Sequence, residues 1–275
     1  MKFKYLIIAF GIITLIILSI IALLPLFLDN PFIKDNFRYF TLPLLIFMLL
    51  LLGSVCIFFS LNYRLLSLLE REDWPALAYY LEHKIYVKRQ YINRYIRLLA
   101  SSYLVISDYL SVIKLETRTM LAKPSLIDKN VLIFGAARIL SANRAEASAF
   151  FKTHLDKYKG KDKQWLQWYY GFSLLLAGDF AAAQPEFLFL AASAKDAVVT
   201  GLSAYFLYNQ IAKHSDKADE CKTTAENGRD RVKTAIDTEI GWNKEVEKMA
   251  SEIHIAIIRK YIEETGKWIY KQDKK

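Results

Sequence analysis

Two long runs of apolar residues open the chain. Residues 5–28 and residues 39–63 contain no charged side chain, and a helix rising about 1.5 Å per residue would let either run cross a hydrocarbon layer of about 30 Å. Lys2 and Lys4 before the first run also fit a signal peptide, but the run is too long for one and lacks a small-residue cleavage site. The pattern predicts two transmembrane helices, the first with its polar link in residues 1–38 and the second in residues 39–63.

Basic residues close to the two runs predict how they are oriented. Two lysines precede the first run, Arg64 and Arg71 follow the second, and the link between the runs carries only Lys34 and Arg38. Because basic residues near membrane spans tend to stay in the cytoplasm, both ends of the chain should be cytoplasmic. We therefore expect an integral protein of the inner or plasma membrane whose remaining domain is cytoplasmic.

From residue 61 onward, apolar residues at helical spacing are interrupted by four similar corners. Each corner is an acidic or amide residue followed by another side chain, bulky in three cases, and the corners lie 35, 35 and 36 residues apart. Ala100, Gly135 and Gly171 precede three of them at a constant distance, and Ala183 follows the last. Small residues at these places predict antiparallel helix pairs in close contact. The corners are Asp73-Trp74, Asp108-Tyr109, Asn143-Arg144 and Asp179-Phe180.

These units resemble tetratricopeptide (TPR) repeats over about residues 61–195, with a weaker fifth unit in residues 197–235. The chain departs from the TPR pattern at Leu65, where a small residue is expected, at Arg144, where the corner aromatic is expected, and at the charged Glu116. The resemblance implies an α-solenoid of antiparallel helix pairs in residues 64–235. Its first helix should continue the second transmembrane helix directly, because no Gly or Pro separates Ser54 from Asp73.

The last part of the chain predicts a closing helix. Apolar residues recur every three or four positions between Trp242 and Tyr261, and Gly266 should end the helix. Residues 236–275 are thus predicted to form a C-terminal capping helix and a basic tail, since repeat arrays need their last apolar face covered. The predicted fold class is all-α: two transmembrane helices, a TPR-like solenoid and a capping helix.

Composition adds little chemistry to this picture. The net charge of +9 suits an anionic membrane surface or an acidic partner, but it also suits ordinary solubility. The two cysteines, Cys56 and Cys221, are not expected to pair, and the four histidines are scattered. The sequence contains no zinc-ligand spacing, nucleophile elbow or Gly-rich phosphate loop. We expect no catalytic residue, metal or cofactor, and no binding of nucleic acid.

The TPR resemblance also implies a partner-binding surface, because the first helix of each TPR unit lines the concave face. Trp168 and Phe172 are the strongest members of this surface, since Tyr170 and Leu174 already serve the buried side of their helix. The same aromatic residues could instead fill contacts between neighbouring helices. Carried over by position, the surface consists of Arg94, Arg97, Ser101, Leu132, Trp165, Trp168, Phe172 and Leu175.

These features together predict a non-enzymatic scaffold or adaptor that gathers partner proteins or peptides at the membrane. The proteins bound would belong to a membrane-associated complex, and lipid would contact the two spanning helices. An alternative is a structural subunit of a membrane-embedded complex whose transmembrane helices make the main contacts. An enzyme with an atypical site is a third, weaker hypothesis.

Overall fold

The computed structural model of the chain describes residues 9–20, 31–141, 143–160 and 162–271. Within these ranges all regular elements are helices and no strand occurs, which confirms the predicted all-α class. The chain forms two compact units, Met1–Tyr80 and Leu81–Lys275.

The first unit contains two apolar helices and the start of a third. Helices α1 (Ala9–Ile20) and α2 (Pro31–Glu70) are followed by α3 (Trp74–Glu82), which crosses the boundary between the units. Within α2, Pro43–Glu70 is long and apolar enough to cross a membrane, at about 42 Å for a straight helix. Helix α2 runs without interruption from the predicted second span to Glu70.

The structure supports one candidate span, whereas the sequence predicted two. Among the described residues only Pro43–Glu70 meets the length and composition needed to cross a membrane. The predicted first span, residues 5–28, lies partly outside the described residues. Its described part, α1, is too short to cross a membrane alone.

Each of the four predicted corners is the start of a helix. The Asp or Asn of each corner immediately precedes α3, α5 (Tyr109–Ala122), α7 (Arg144–Lys157) or α9 (Phe180–Ser193). Its side-chain oxygen accepts a hydrogen bond from the backbone N–H three residues further on, which satisfies one of the unpaired donors of a helix start. The bonds are Ala76 to Asp73, 3.1 Å, Ser111 to Asp108, 3.2 Å, Glu146 to Asn143, 3.3 Å, and Ala182 to Asp179, 3.0 Å.

Three corners also share a left-handed residue just before the capping residue. Glu72, Ser107 and Gly178 have φ angles of 54°, 61° and 82°. At the last corner the Gly178 N–H donates to the Leu175 carbonyl and the Asp179 N–H to the Leu174 carbonyl, both at 3.0 Å. These two bonds close the preceding helix and turn the chain within two residues, so that the next helix begins at once.

In the second unit, helices that follow one another along the chain pack against each other. Each helix from α4 to α11 contacts the next one along the chain. In addition α4, α6, α8 and α10 contact one another in order, and we call these four helices the first row; α9 and α11 also touch. The helices not yet bounded are α4 (Asn93–Val105), α6 (Val131–Leu140), α8 (Lys163–Leu176), α10 (Ala197–Asn209) and α11 (Ala218–Ala235).

Small residues allow these helices to approach closely. A Cβ atom added to Gly171 would lie 3.2 Å from Cε2 of Phe187, and one added to Gly135 would lie 2.3 Å from Cε1 of Phe151. Ala183 is fully buried. In both glycine pairs an aromatic ring on the next helix occupies the space that a side chain would need. The close contacts therefore lie where the spacing of small residues predicted them.

The charged Glu116, which interrupts the apolar pattern of α5, forms a buried ion pair. Arg138 of α6 donates a hydrogen bond from Nη1 to the Glu116 carboxylate, and both residues are 8% exposed. The guanidinium also lies 4.1 Å above the Phe150 ring. Its Nε is 3.5 Å from Glu146, an ion pair without a hydrogen bond. Burial raises the pKa of the Glu116 carboxyl, and Arg138 opposes that rise.

The chain ends in three short helices rather than the single capping helix predicted. These are α12 (Glu239–Lys248), α13 (Ile253–Ile257) and α14 (Arg259–Tyr270), and Gly266 lies inside α14 instead of ending it. We call residues 239–270 the C-terminal segment. A turn at residues 249–252 changes which face the later helices bury. The buried side chains there are Ile255, Ile258 and Ile262, which a single helix following the apolar pattern from Trp242 to Tyr261 would not all place on its buried face.

The C-terminal segment folds back along the first row. Helix α13 contacts α6, and α14 contacts α10, α11 and α12. Trp242 of α12 is 1% exposed and lies between two glycines on different helices. A Cβ atom would lie 2.9 Å from its ring at Gly201 and 2.8 Å from its ring at Gly266. Both positions must therefore lack a side chain for the ring to fit.

The corner geometry predicts opposite effects of two substitutions. Gly178→Ala should destabilise the protein by about 1–2 kcal/mol, because a side chain at a left-handed residue meets the following carbonyl. Ser107→Gly should stabilise it by about 0.5 kcal/mol, since relief of the same strain exceeds the entropy that glycine loses on folding. Urea unfolding of the full chain in detergent, followed by circular dichroism, measures both. A neutral Gly178→Ala combined with a destabilising Ser107→Gly would contradict the assigned geometry.

Candidate functional site

The two aromatic residues expected to lead the binding surface lie in the core. Trp168 is fully buried and Phe172 is 3% exposed. Their rings stack at 5.0 Å, and Phe172 meets Tyr261 of α14 edge-on at 5.4 Å. Trp168 also lies 5.8 Å from Phe206 of α10. Both side chains therefore fill contacts between helices, Trp168 against Phe187 of α9 and Phe206 of α10, and Phe172 against Tyr261 of the C-terminal segment.

The neighbouring part of α8 is covered in the same way. The Tyr169 hydroxyl donates a 2.8 Å hydrogen bond to the His254 carbonyl of α13, and burial raises the pKa of this hydroxyl well above its usual value. The His254 ring lies edge-on to Trp165 at 5.5 Å. Helix α8 thus buries aromatic side chains against both its row neighbours and the C-terminal segment.

The remaining predicted residues divide into two groups. Arg94 is exposed, and Ser101 and Leu175 are half-buried; none of these three lines a cavity with the others. Arg97, Leu132 and Trp165 are brought together around one cavity, although they come from α4, α6 and α8. This cavity is the candidate functional site.

The cavity has a volume of about 790 Å³ and lies at the amino-terminal ends of α4, α6 and α8. The turn before α6, the link between α7 and α8, and the α12–α13 turn complete its walls. Its volume falls within the usual range for ligand sites in proteins. The main lining residues are Asn93, Arg97, Lys129, Asn130, Leu132, Lys157, Tyr158, Lys159, Trp165, Asp196, Lys248, Met249, Glu252, Ile253 and His254.

The helix starts at this cavity differ from those at the corners. Neither Asn130, before α6, nor Asp162, before α8, makes a side-chain cap bond, and Ile92, before α4, has no side chain able to make one. The starts of α5, α7 and α9 are all capped by Asp or Asn. First-turn N–H groups of α4, α6 and α8 therefore lack side-chain cap acceptors at the cavity.

Asn130 is the lining residue with an unsatisfied polar atom. It is 3% exposed, and its Nδ2 donates to the Asn93 Oδ1 and to the Leu126 carbonyl, both at 2.8 Å. Its Oδ1 has no hydrogen-bond partner among the described residues. A buried carbonyl oxygen without a donor is unusual in folded proteins and calls for a partner.

The charges around the cavity are unevenly paired. Five basic and four acidic side chains line it. Arg97 donates to Glu252, and the Trp165 Nε1 donates to Asp196 at 3.0 Å, so that two of the acids are engaged. The exposed lysines at positions 129, 157 and 159 form no ion pair within the described part of the chain.

His254 is held neutral in the wall of the cavity. Burial, and secondly the charge of Arg97, lower the pKa of its imidazole to about 4. The Glu252 carboxylate is 4.0 Å from Nδ1, but it already accepts from Arg97 and so supports a charged imidazole little. His254 therefore contributes to packing and not to the positive charge of the site.

The arrangement is suited to binding. Over the four described ranges, no group of three His, Cys, Asp or Glu side chains is placed to hold a metal ion. The sequence reading missed Asn130, His254 and the three unpaired lysines. It gave no role to the link between α7 and α8, whereas Tyr158, Lys159, Gly160 and Asp162 of this link line the cavity.

Comparison with known proteins places the chain in a family. Residues 111–271 match a family model described as "Uncharacterised Treponema protein", which covers more than half of the chain. The chain belongs to this family. The matched range begins within α5 and includes the C-terminal segment, so the family's common part contains both the later helices of the first row and the segment that covers them.

A relative from Treponema pallidum (strain Nichols), described as "Uncharacterized protein", is 30% identical over 173 residues. The match covers 63% of this chain and 55% of the relative, so the chain spans about half the length of the relative it matches. No solved structure matches.

The resemblance to TPR repeats is wrong as a family assignment. The family model that matches is the Treponema one, and no TPR family matches the chain. The capped corners and small contact residues that suggested TPR units are present, but any stack of short antiparallel helices needs such features. They identify a way of packing and not a family.

Burial of His254 predicts a pH dependence of stability. An ordinary histidine has a pKa near 6.5, so the unfolded chain binds this proton before the folded one does. The contribution of neutral His254 to the free energy of unfolding is fully present above pH 6.5. It is lost as the pH falls to about 4, a loss of about 3 kcal/mol in total. His254→Gln should reduce this loss when unfolding free energies are compared between pH 7 and pH 4. His154→Gln is the control and should keep most of the loss. If wild type and His254→Gln lose the same unfolding free energy between pH 7 and pH 4, His254 is not the group responsible.

Proposed function

We propose that this protein is a membrane-anchored, non-catalytic adaptor whose helical domain holds a segment of a partner protein. The observation that carries the proposal is the cavity, in which the cation of Arg97, the apolar Leu132 and the aromatic Trp165 converge from three helices. Such a combination of an aromatic side chain, an apolar wall and charged groups is typical of protein recognition sites. Beside this cavity the C-terminal segment covers aromatic residues of α8, with His254 against Tyr169 and Tyr261 against Phe172.

We also propose how the domain is attached. Residues 5–28 would form a first transmembrane helix, in addition to the candidate span Pro43–Glu70 of α2, which overlaps the predicted second helix at residues 39–63. The second unit would then be a cytoplasmic α-solenoid of helix pairs. The uncharged runs and the basic residues that flank them support this arrangement. Attachment to the membrane would raise the local concentration of the adaptor for partners in the same membrane.

The orientation can be tested with a single accessible cysteine. Cys221 is unsuitable because it is fully buried and burial raises the pKa of its thiol. Asp216→Cys places a thiol at an exposed turn, in a chain that also carries Cys56→Ser and Cys221→Ala. A membrane-impermeant maleimide should label it only after the cells are permeabilised. Labelling in intact cells would show that the helical domain is outside the cytoplasm.

The adaptor function can be tested by photo-crosslinking in cells. A photoreactive amino acid in place of Lys248, which lines the cavity, should capture specific proteins that mass spectrometry then identifies. The matched control replaces Lys213, an exposed lysine on the short helical turn Ile211–Lys213 away from the cavity, and should not capture them. Equal capture at the two positions would contradict a site in the cavity.

A structural role within a membrane complex is the second candidate. It is favoured by the apolar surface of α2, on which Phe47 is 62% and Leu50 is 68% exposed. A photoreactive residue in place of Leu50 distinguishes the two. Capture of membrane subunits from Leu50, with none from Lys248, would favour this second function over the adaptor.

A further inference from the structure

We propose that the occupant of the cavity is an extended acidic peptide segment of the partner. Its carboxylates would face Lys129, Lys157 and Lys159, and one of its main-chain N–H groups would donate to Asn130 Oδ1. This inference rests on the proposed adaptor function and adds the chemistry of what the site recognises.

The unpaired lysines at the cavity favour an anionic ligand. Lys129, Lys157 and Lys159 carry positive charge that no acidic side chain in the described ranges pairs. Asp196 and Glu252 are already engaged by Trp165 and Arg97, and the other two acids of the lining, Asp128 and Asp162, form no ion pair with these lysines. An acidic segment entering the cavity would meet three cations with free donors, which favours both its affinity and its rate of association.

The helix starts strengthen this preference. The amino-terminal ends of α6 and α8 face the cavity with no side-chain cap, and their dipoles add positive potential there. The Glu252 carboxylate is itself bound by Arg97 at the same cavity, so a carboxylate is already accommodated in this environment.

Asn130 separates a peptide from a simple anion. Its buried Oδ1 is an acceptor, and neither a carboxylate nor a fully charged inorganic anion has a proton to give it. An extended peptide presents main-chain N–H groups alongside its acidic side chains, and so supplies the donor and the negative charge together. The partly exposed Leu132 and Met249 leave an apolar surface for an intervening side chain.

The test is a selection of displayed random heptapeptides on the full chain, held in nanodiscs of neutral lipid. The enriched peptides should be rich in Asp and Glu. Their binding should weaken as the salt concentration rises from about 50 to about 300 mM, because salt screens the attraction between charges. Neutral or basic enriched peptides, or salt-independent binding, would overturn the inference.

Matched variants then locate the binding. Replacing Lys129, Lys157 and Lys159 with Gln should weaken an enriched peptide about tenfold or more in fluorescence anisotropy. Replacing the exposed Lys114, Lys213 and Lys222 with Gln changes the net charge equally and should leave affinity within about twofold, since distant charges are screened. Equal losses of peptide affinity in the two variants would show that the peptide is attracted by the overall charge of the protein. That result would contradict a binding site at the cavity.

The donor bond has its own readout. Each main-chain nitrogen of an enriched peptide is methylated in turn. Methylation of the one nitrogen that faces Asn130 should abolish binding of the peptide. If every methylated peptide still binds, no main-chain N–H donates to Asn130 and the inference of a peptide ligand is wrong. Failure here is distinguishable from failure of the adaptor function. If a photoreactive residue at position 248 captures a partner but no acidic peptide is enriched, the adaptor stands and the acidic segment is wrong. If neither is found, both fall.

Discussion

The burial of Trp242 between two glycines is the contact on which the second unit depends. The ring joins α12 to Gly201 of the first row and to Gly266 of α14, so one side chain fixes the path of the whole C-terminal segment. Along that path Ile255, Ile258, Ile262 and Ile269 are 0–3% exposed. Each isoleucine buried in this way contributes about 1.5–3 kcal/mol of transfer free energy. The segment is therefore part of the core and not an appendage to a finished array.

The candidate site is a product of the same folding back. The C-terminal segment covers aromatic residues of the first row, with His254 against Trp165 and Tyr169, and Tyr261 against Phe172 and Phe206. What stays open is the end of the row where α4, α6 and α8 begin, closed on one side by the turn that carries Glu252. The segment thus covers apolar surface and leaves a polar opening lined by five basic and four acidic side chains.

The parts of this fold that the sequence predicted are those determined by neighbours in the chain. Corner residues such as Asp108 and Asp179 cap helices through bonds to residues three positions away, so local sequence is enough. The segment that covers α8 comes from about 90 residues further on, and nothing in the pattern around Trp168 shows which face a distant helix will cover. The turn at residues 249–252 contains neither Gly nor Pro, and so the predicted single helix had the right period but the wrong face. The regular spacing of the corners likewise reflects the packing of successive helices and does not indicate membership of the TPR family.

The order in which the chain is synthesised gives the segment a further consequence. Helices α4 to α11 are all synthesised before residue 239, and until Tyr261 of α14 has been made, Phe172 and Phe206 lack the ring that packs against both of them. An uncovered aromatic face of this kind attracts chaperones and favours aggregation. A chain cut short before residue 239 therefore keeps this aromatic surface uncovered, and we expect it to aggregate more readily than the full chain.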